Sequence, residues 1–146
     1  MNEKFMKIAQ KLALASGSDI PVGTVVVKND EIIAIASNEK EKTNDVTAHA
    51  EIVAIKKASE LLNNWRLDDC EIYVTLEPCP MCAWAILQSR IKAVYFGSYD
   101  NIYGAFGSKI NLADISNSKI IIKGGILEEE CDNIMKDFFK KVRNDN

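Results

Sequence analysis

The order of predicted elements specifies an α/β protein, a three-layer α/β/α arrangement on a mixed central sheet of about five strands. Three observations predict it. Two apolar, β-rich runs flank a two-residue polar turn early in the chain. Later, a strand, a helix and a strand follow one another directly. Helical periodicity opens and closes the chain. A hairpin pairs its strands antiparallel, whereas a strand–helix–strand unit pairs them parallel with a right-handed crossover, so a sheet holding both is mixed.

Phe5, Ile8, Leu12 and Ala15 recur at helical spacing, so residues 3–15 read as an amphipathic helix stopped by Gly17. The hairpin is Gly23 to Lys28, the turn Asn29-Asp30, then Glu31 to Ala36. Both runs are nearly continuous in apolar residues, which predicts strands covered on both faces. Residues 38–46 are polar and read as a loop. A helix follows from Ala48 to about Leu62, with Ile52, Ile55 and Leu62 on its buried side. In Glu71 to Leu76 the residues Ile72, Val74 and Leu76 share one face. Pro78 or Pro80 suits the start of the next helix, because a missing N–H costs nothing there. That helix runs to about Ser89, and Ala93 to Phe96 is the following strand. The segment 97–108 holds Gly97, Gly104 and Gly107 and reads as a loop. Ile120 to Ile122 is a short last strand, and Leu127, Cys131, Ile134, Phe138 and Val142 mark a final helix. No internal repeat or low-complexity segment interrupts this order.

The 146 residues suit one domain, 1–146, with one sizeable core. Apolar residues make up 47% and charged residues 27%, the balance of a soluble globular protein. Met1-Asn2-Glu3-Lys4 leads into no apolar run, so no signal peptide is expected. No stretch approaches a membrane span. A cytoplasmic location is the expectation, and the four cysteines are then not expected to form disulfides. Cys70 and Cys131 read as small apolar fillers. The net charge of −3 does not advertise a nucleic-acid binder, although phosphates respond to a local patch rather than to a total. Lys136, Lys140, Lys141 and Arg143 form the best such patch, and on sequence alone they also fit an ordinary solvated helix face.

Chemistry concentrates in two short stretches, Thr47-Ala48-His49-Ala50-Glu51 and Glu77-Pro78-Cys79-Pro80-Met81-Cys82. They spell H-x-E followed by P-C-x-x-C. Catalytic zinc takes three nitrogen or sulfur ligands and leaves one position open. His49, Cys79 and Cys82 supply one nitrogen and two sulfurs, and one turn of helix can aim both sulfurs at one ion. Water in the open position acquires a pKa near 7. Glu51 is then the group that carries protons from water to substrate. Each piece alone has a plainer reading. A single histidine is commonly a packing residue, a glutamate in a first helical turn is favoured by the helix dipole, and C-x-x-C also serves redox chemistry. Together, at two predicted helix starts, they point to one site. Residues two apart lie about 200° apart on a regular helix, so His49 and Glu51 share a pocket only if the helix begins there.

The same motifs carry a resemblance. H-x-E with P-C-x-x-C is the signature of the zinc nucleobase deaminases. Pro21-Val22-Gly23, Arg66-Leu67, Tyr73 to Cys79, Ser89-Arg90-Ile91, Phe96 to Asp100, Gly104 to Ser108 and Asp137 to Lys140 narrow it. The chain resembles the bacterial tRNA-specific adenosine deaminases from about Pro21 to Arg143. The resemblance implies a cytidine deaminase-like fold and one zinc ion per subunit. It implies hydrolysis of adenosine to inosine at the wobble position of a tRNA anticodon stem-loop, by a homodimer. It also assigns Asn38 to contact with the target base and Asp100 to the loop beside the flipped nucleotide. Asn38 also suits a strand-end turn, and Asp100 a loop cap. Lys140 and Arg143 are the expected phosphate contacts. The chain departs from the family pattern at Ile102, where a lysine is common, at Trp84, where a small residue is common, and in its short basic tail.

Three other functions fit parts of the pattern. A free nucleobase or nucleotide deaminase acting on guanine or cytosine would use the same zinc chemistry, without need of the Asp100 loop. A structural zinc protein would close its fourth position and have no use for Glu51. A thiol oxidoreductase built on Cys79 and Cys82 would leave His49 and Glu51 without a role.

Overall fold

Among the described residues five strands, β1 (Gly23–Lys28), β2 (Glu31–Ser37), β3 (Cys70–Leu76), β4 (Ala93–Ser98) and β5 (Ile121–Lys123), form one sheet in the order β2-β1-β3-β4-β5. The structure is a computed structural model that describes residues 1–145; Asn146, the end of the expected domain, lies outside the described residues. β1 pairs antiparallel with both β2 and β3, while β3, β4 and β5 run parallel, so the sheet is mixed as expected. Asn29 and Asp30 turn the hairpin with φ of 51° and 61°, the two left-handed residues that a type I′ turn requires. Val26 pairs with Ala34 and Val27 with Ile32, which leaves Ile33 as the extra residue of a bulge.

Among the described residues six helices surround the sheet: α1 (Glu3–Ala13), α2 (Lys40–Thr43), α3 (Ala50–Leu62), α4 (Pro80–Gln88), α5 (Leu112–Ser116) and α6 (Glu128–Asn144). Alternation along the strands sorts their side chains into two cores. Val26, Ile72, Val74, Val94 and Phe96 meet α3 and α4 on one face. Val25, Val27, Tyr73, Ala93 and Tyr95 meet Phe5, Met6 and Ala9 of α1 and Cys131 of α6 on the other. The result is the three-layer arrangement. Gly23 lets α1 lie close on β1, since a Cβ there would strike the backbone of Ala9 and Ala13. Cys70 and Cys131 are buried, each within one of the two cores.

Several sequence expectations change. β1 is covered on both faces, but β2 is an edge strand whose Ile32 and Ile35 are exposed. A run of apolar residues cannot reveal whether a neighbour exists on each side. On α3 the fully buried stripe is Ala50, Ala54 and Ala58, with Ile55 and Leu62 at its margin and Ile52 only half-buried. Small residues occupy the line of closest approach between helix and sheet, and the larger ones flank it. α1 ends at Ala13, with Phe5, Met6, Ala9 and Ala13 buried; Gly17 lies beyond it at φ 63°, and Ala15 is exposed. The segment 38–46 contains α2, and α5 precedes β5; both are too short to show a period. α3 begins at Ala50 rather than Ala48.

Candidate active site

Both motifs sit where the chain turns into a helix. His49 is the N-cap of α3, with an extended backbone at φ −67° and ψ 150°, and Glu51 follows in the first turn. The 200° separation of a continuous helix therefore does not apply, and both side chains line one cleft of about 330 Å³. Cys79 caps α4 in the same way at φ −73° and ψ 172°, with Pro80 at the first helical position and Cys82 within the first turn. Pro80 has no N–H to leave unpaired and a φ suited to the helix.

His49 Nδ1 lies 3.6 Å from Cys79 Sγ and 3.5 Å from Cys82 Sγ. All three ligand atoms fall within 4.8 Å of one another. Zinc–sulfur and zinc–nitrogen bonds of about 2.3 and 2.0–2.1 Å at a tetrahedral angle place nitrogen and sulfur about 3.6 Å apart. The donor set and its spacing fit zinc. The thiols are coupled: Cys79 is drawn down to about 4, first by its hydrogen bond with the Cys82 thiol, and Cys82 is pushed up by that same bond and by burial. The two thiols thus act as one coupled pair, and a divalent cation bound by both sulfurs would displace their protons. The hydrogen bond with Cys79 raises His49, against the effect of burial.

Glu51 is almost fully buried, at 4% exposure. Burial pushes its carboxyl up to about 7. A neighbouring cation would draw it down again, which leaves a carboxyl able to take and return a proton near neutrality.

Asn38 and Asp100 line the same cleft. Asn38 leaves β2 and spans two segments. Its Oδ1 accepts from Ala50 N at 2.7 Å, and its Nδ2 donates to Ile20 O at 2.8 Å. It thus satisfies the first free N–H of α3 and fixes the start of the helix that carries His49 and Glu51. Asp100 Oδ1 accepts from Ile102 N at 2.9 Å and Tyr103 N at 3.1 Å, and so closes a tight turn.

Sequence reasoning missed the residue that holds this loop. Glu77, 2% exposed, receives Asp100 N on Oε1 and both Phe106 N and Ser108 N on Oε2, each at 3.1 Å. The Ser108 hydroxyl also donates to Oε1. Gly104 lies so close that a Cβ would strike this carboxyl. The available signal was a carboxylate followed by Pro78 inside an apolar stretch, where a charge must find partners. Lys40, at the start of α2, also lines the cleft, and no motif in the sequence marks it. Lys140 and Arg143 are exposed on α6, and neither is among the residues lining the cleft. Trp84 is 41% exposed on α4, so it is not a core tryptophan.

A mixed sheet with helices on both faces, and a His-Cys-Cys cluster beside a buried glutamate at two helix starts, define a hydrolytic deaminase of the cytidine deaminase-like fold. The chain belongs to the MafB19-like deaminase family, which matches residues 1–143. It is 41% identical to the tRNA-specific adenosine deaminase of Bacillus subtilis (strain 168), over 97% of this chain and 91% of that one. It is similar to a solved structure from work on A-to-I editing by tRNA:A34 deaminases at the wobble position of transfer RNA. The TM-score is 0.84 at 37% identity, covering 91% of this chain and 99% of that one. It is also similar to the guanine deaminase of Bacillus subtilis, with 46% identity and a TM-score of 0.65, over 68% of this chain and 66% of that one.

Proposed function

We propose that the protein hydrolyses adenosine to inosine at the wobble position of a tRNA anticodon stem-loop. The observation that carries this reading is near-complete likeness to a tRNA:A34 deaminase, across 99% of that chain. The guanine deaminase is the runner-up. Its identity is higher, but the likeness stops at two-thirds of either chain.

His49, Cys79 and Cys82 would hold one zinc ion per subunit. When bound, zinc supplies the Lewis acidity that makes water a nucleophile near neutral pH. Glu51 takes a proton from the water as its oxygen adds to C6 of the adenine, and delivers that proton to N1 of the ring. It then carries the second proton to the departing amine. The C6–N6 bond breaks, ammonia leaves, and a C6 carbonyl remains. Burial of Glu51 keeps bulk water from competing for these protons. Asn38 holds the base edge with the Nδ2 hydrogen that Ile20 does not use, since an amide carries two. The Asp100 turn lies beside the nucleotides on either side. A loop nucleotide is already half out of the stack, so little unstacking energy opposes its entry.

The working form is a homodimer of one deaminase domain over residues 1–146, with Trp84 and Met81 of α4 as exposed apolar contact residues. The setting is the cytoplasm. No helix among the described residues is long and apolar enough to cross a membrane. A single sedimenting monomer at micromolar concentration would remove the dimer.

The test is incubation of the zinc-loaded protein with total tRNA and with a synthetic anticodon stem-loop, followed by nucleoside analysis for inosine. Guanine, cytosine and free adenosine run in parallel. Inosine at the wobble position, formed far faster than any free base is deaminated, is the expected result. Faster turnover of guanine or cytosine transfers the assignment to the free-base reading.

A further inference from the structure

We infer that Tyr103 is a stacking platform for a nucleotide flanking the target adenosine, and hence a substrate-binding residue of this site; the inference rests on the RNA reading above. Tyr103 is 66% exposed, yet it lines the cleft together with His49, Glu51 and Asp100. Its ring is free. Tyr99, four residues earlier, packs edge-on against Phe96, with centroids 5.2 Å apart at 88°. Among the described residues Tyr103 makes no such ring pair, no cation lies over its face, and its hydroxyl has no hydrogen-bond partner.

The backbone beneath that ring is fixed. Tyr103 N donates to Asp100 Oδ1 at 3.1 Å, and Gly104 N donates to Asp100 O at 2.9 Å. Asp100 N is itself held by Glu77, which also grips Phe106 and Ser108. A tyrosine on a rigid turn loses only two side-chain torsions when it is covered, which makes it an inexpensive contact.

Charge decides what such a ring is for. Asp19, Glu41, Glu51, Glu77 and Asp100 line the cleft against the single lysine Lys40. Lys40 alone gives phosphates little attraction in that field. A base drawn into the site leaves its neighbour with an uncovered π-face, and an aromatic ring covers it without regard to charge or base identity.

The experiment uses the zinc-loaded full chain as wild type, Tyr103→Ala and Tyr103→Phe. Substrates are the anticodon stem-loop and two versions of it, abasic immediately 5′ or 3′ of the target adenosine. Alanine should raise KM on the intact stem-loop about 5- to 150-fold, the range for loss of one base–aromatic stack, with kcat within about twofold. Phenylalanine should stay within about twofold of wild type in KM, since the ring and not the hydroxyl makes the contact. On one of the two abasic substrates the difference between alanine and wild type should vanish, because the partner of the ring is already gone. The inference is overturned if alanine matches wild type on the intact stem-loop, or if phenylalanine is as damaging as alanine. It is overturned too if the alanine defect persists on both abasic substrates, or if alanine changes the sedimentation of the protein, which would make Tyr103 a subunit contact. The wild-type rate on the intact stem-loop reports separately on the RNA reading: no inosine there removes that reading and the inference together, whereas an active wild type matched by alanine removes the inference alone.

Discussion

Replacing Glu77 by glutamine tests the construction of the loop that carries Asp100. The native carboxylate receives four donors: the N–H groups of Asp100, Phe106 and Ser108 and the Ser108 hydroxyl. Glutamine has one oxygen. Placed towards Phe106 and Ser108, it keeps those two bonds but loses their charge assistance, about 1 kcal/mol each. Its NH2 then faces Asp100 N–H, donor against donor, and leaves a buried N–H unpaired at a cost of about 1–3 kcal/mol. The Ser108 hydroxyl can rotate to accept instead. The sum is about 3–5 kcal/mol. For 146 residues the unfolding entropy near the midpoint is about 0.3 kcal/mol/K, so Tm should fall by about 10–16 °C. If the loop opens before the domain does, the same energy appears locally. Amide exchange at Phe106 and Ser108 would then quicken by about 10²–10⁴-fold. Calorimetry and hydrogen exchange on the same sample distinguish the two. A Tm within about 2 °C of wild type, together with unchanged exchange at these amides, would refute the role assigned to the four bonds.

Further outcomes follow from the same geometry. Cys79→Ala should lose zinc, because two ligands hold the ion poorly, whereas Cys70→Ala and Cys131→Ala should retain about one per chain by metal analysis. Full zinc content in Cys79→Ala would contradict the assignment. Glu51→Gln should keep the metal and the fold and lose about 10²–10⁴-fold or more in kcat, since one group serves two proton transfers; turnover within a few-fold of wild type would sink the shuttle. Asn38→Ala removes the partner of Ala50 N, 2.7 Å away, and should cost about 1 kcal/mol in thermal unfolding besides weakening turnover. An unchanged Tm would show that water replaces the cap without loss. Removing both Lys140 and Arg143 should flatten the salt dependence of RNA binding by about 0.7 for each phosphate no longer neutralised. An unchanged slope would leave cleft-lining Lys40 as the basic residue to test.

What could be read from the chain alone is what local chemistry encodes. The candidate metal triad was legible because His49, Cys79 and Cys82 are of the right atom types at short spacings, and because each motif falls at a helix start. The condition that α3 begin at the motif follows from helix geometry alone, and the structure meets it with His49 at the cap. The mixed sheet was legible because hairpin and strand–helix–strand patterns have fixed pairing directions.

Tertiary structure decided whatever depends on a distant neighbour. β2 carries as apolar a run as β1, yet it lies at the edge, since only the strand order places a neighbour beyond β1 and none beyond β2. The buried line of α3 runs through alanines because the sheet beneath sets the distance of approach, which no period in the sequence records. α2 and α5 are one-turn helices ended by Asn44 and Asn117 in the left-handed region, too short to show a repeat. Glu77 finds its partners 23 to 31 residues away, in a loop that has no regular structure to predict. The same carboxylate decides where Asp100 and Tyr103 stand. A charge buried at the end of a strand must collect donors from wherever the fold delivers them, and only the folded chain shows that they come from the loop over the active site.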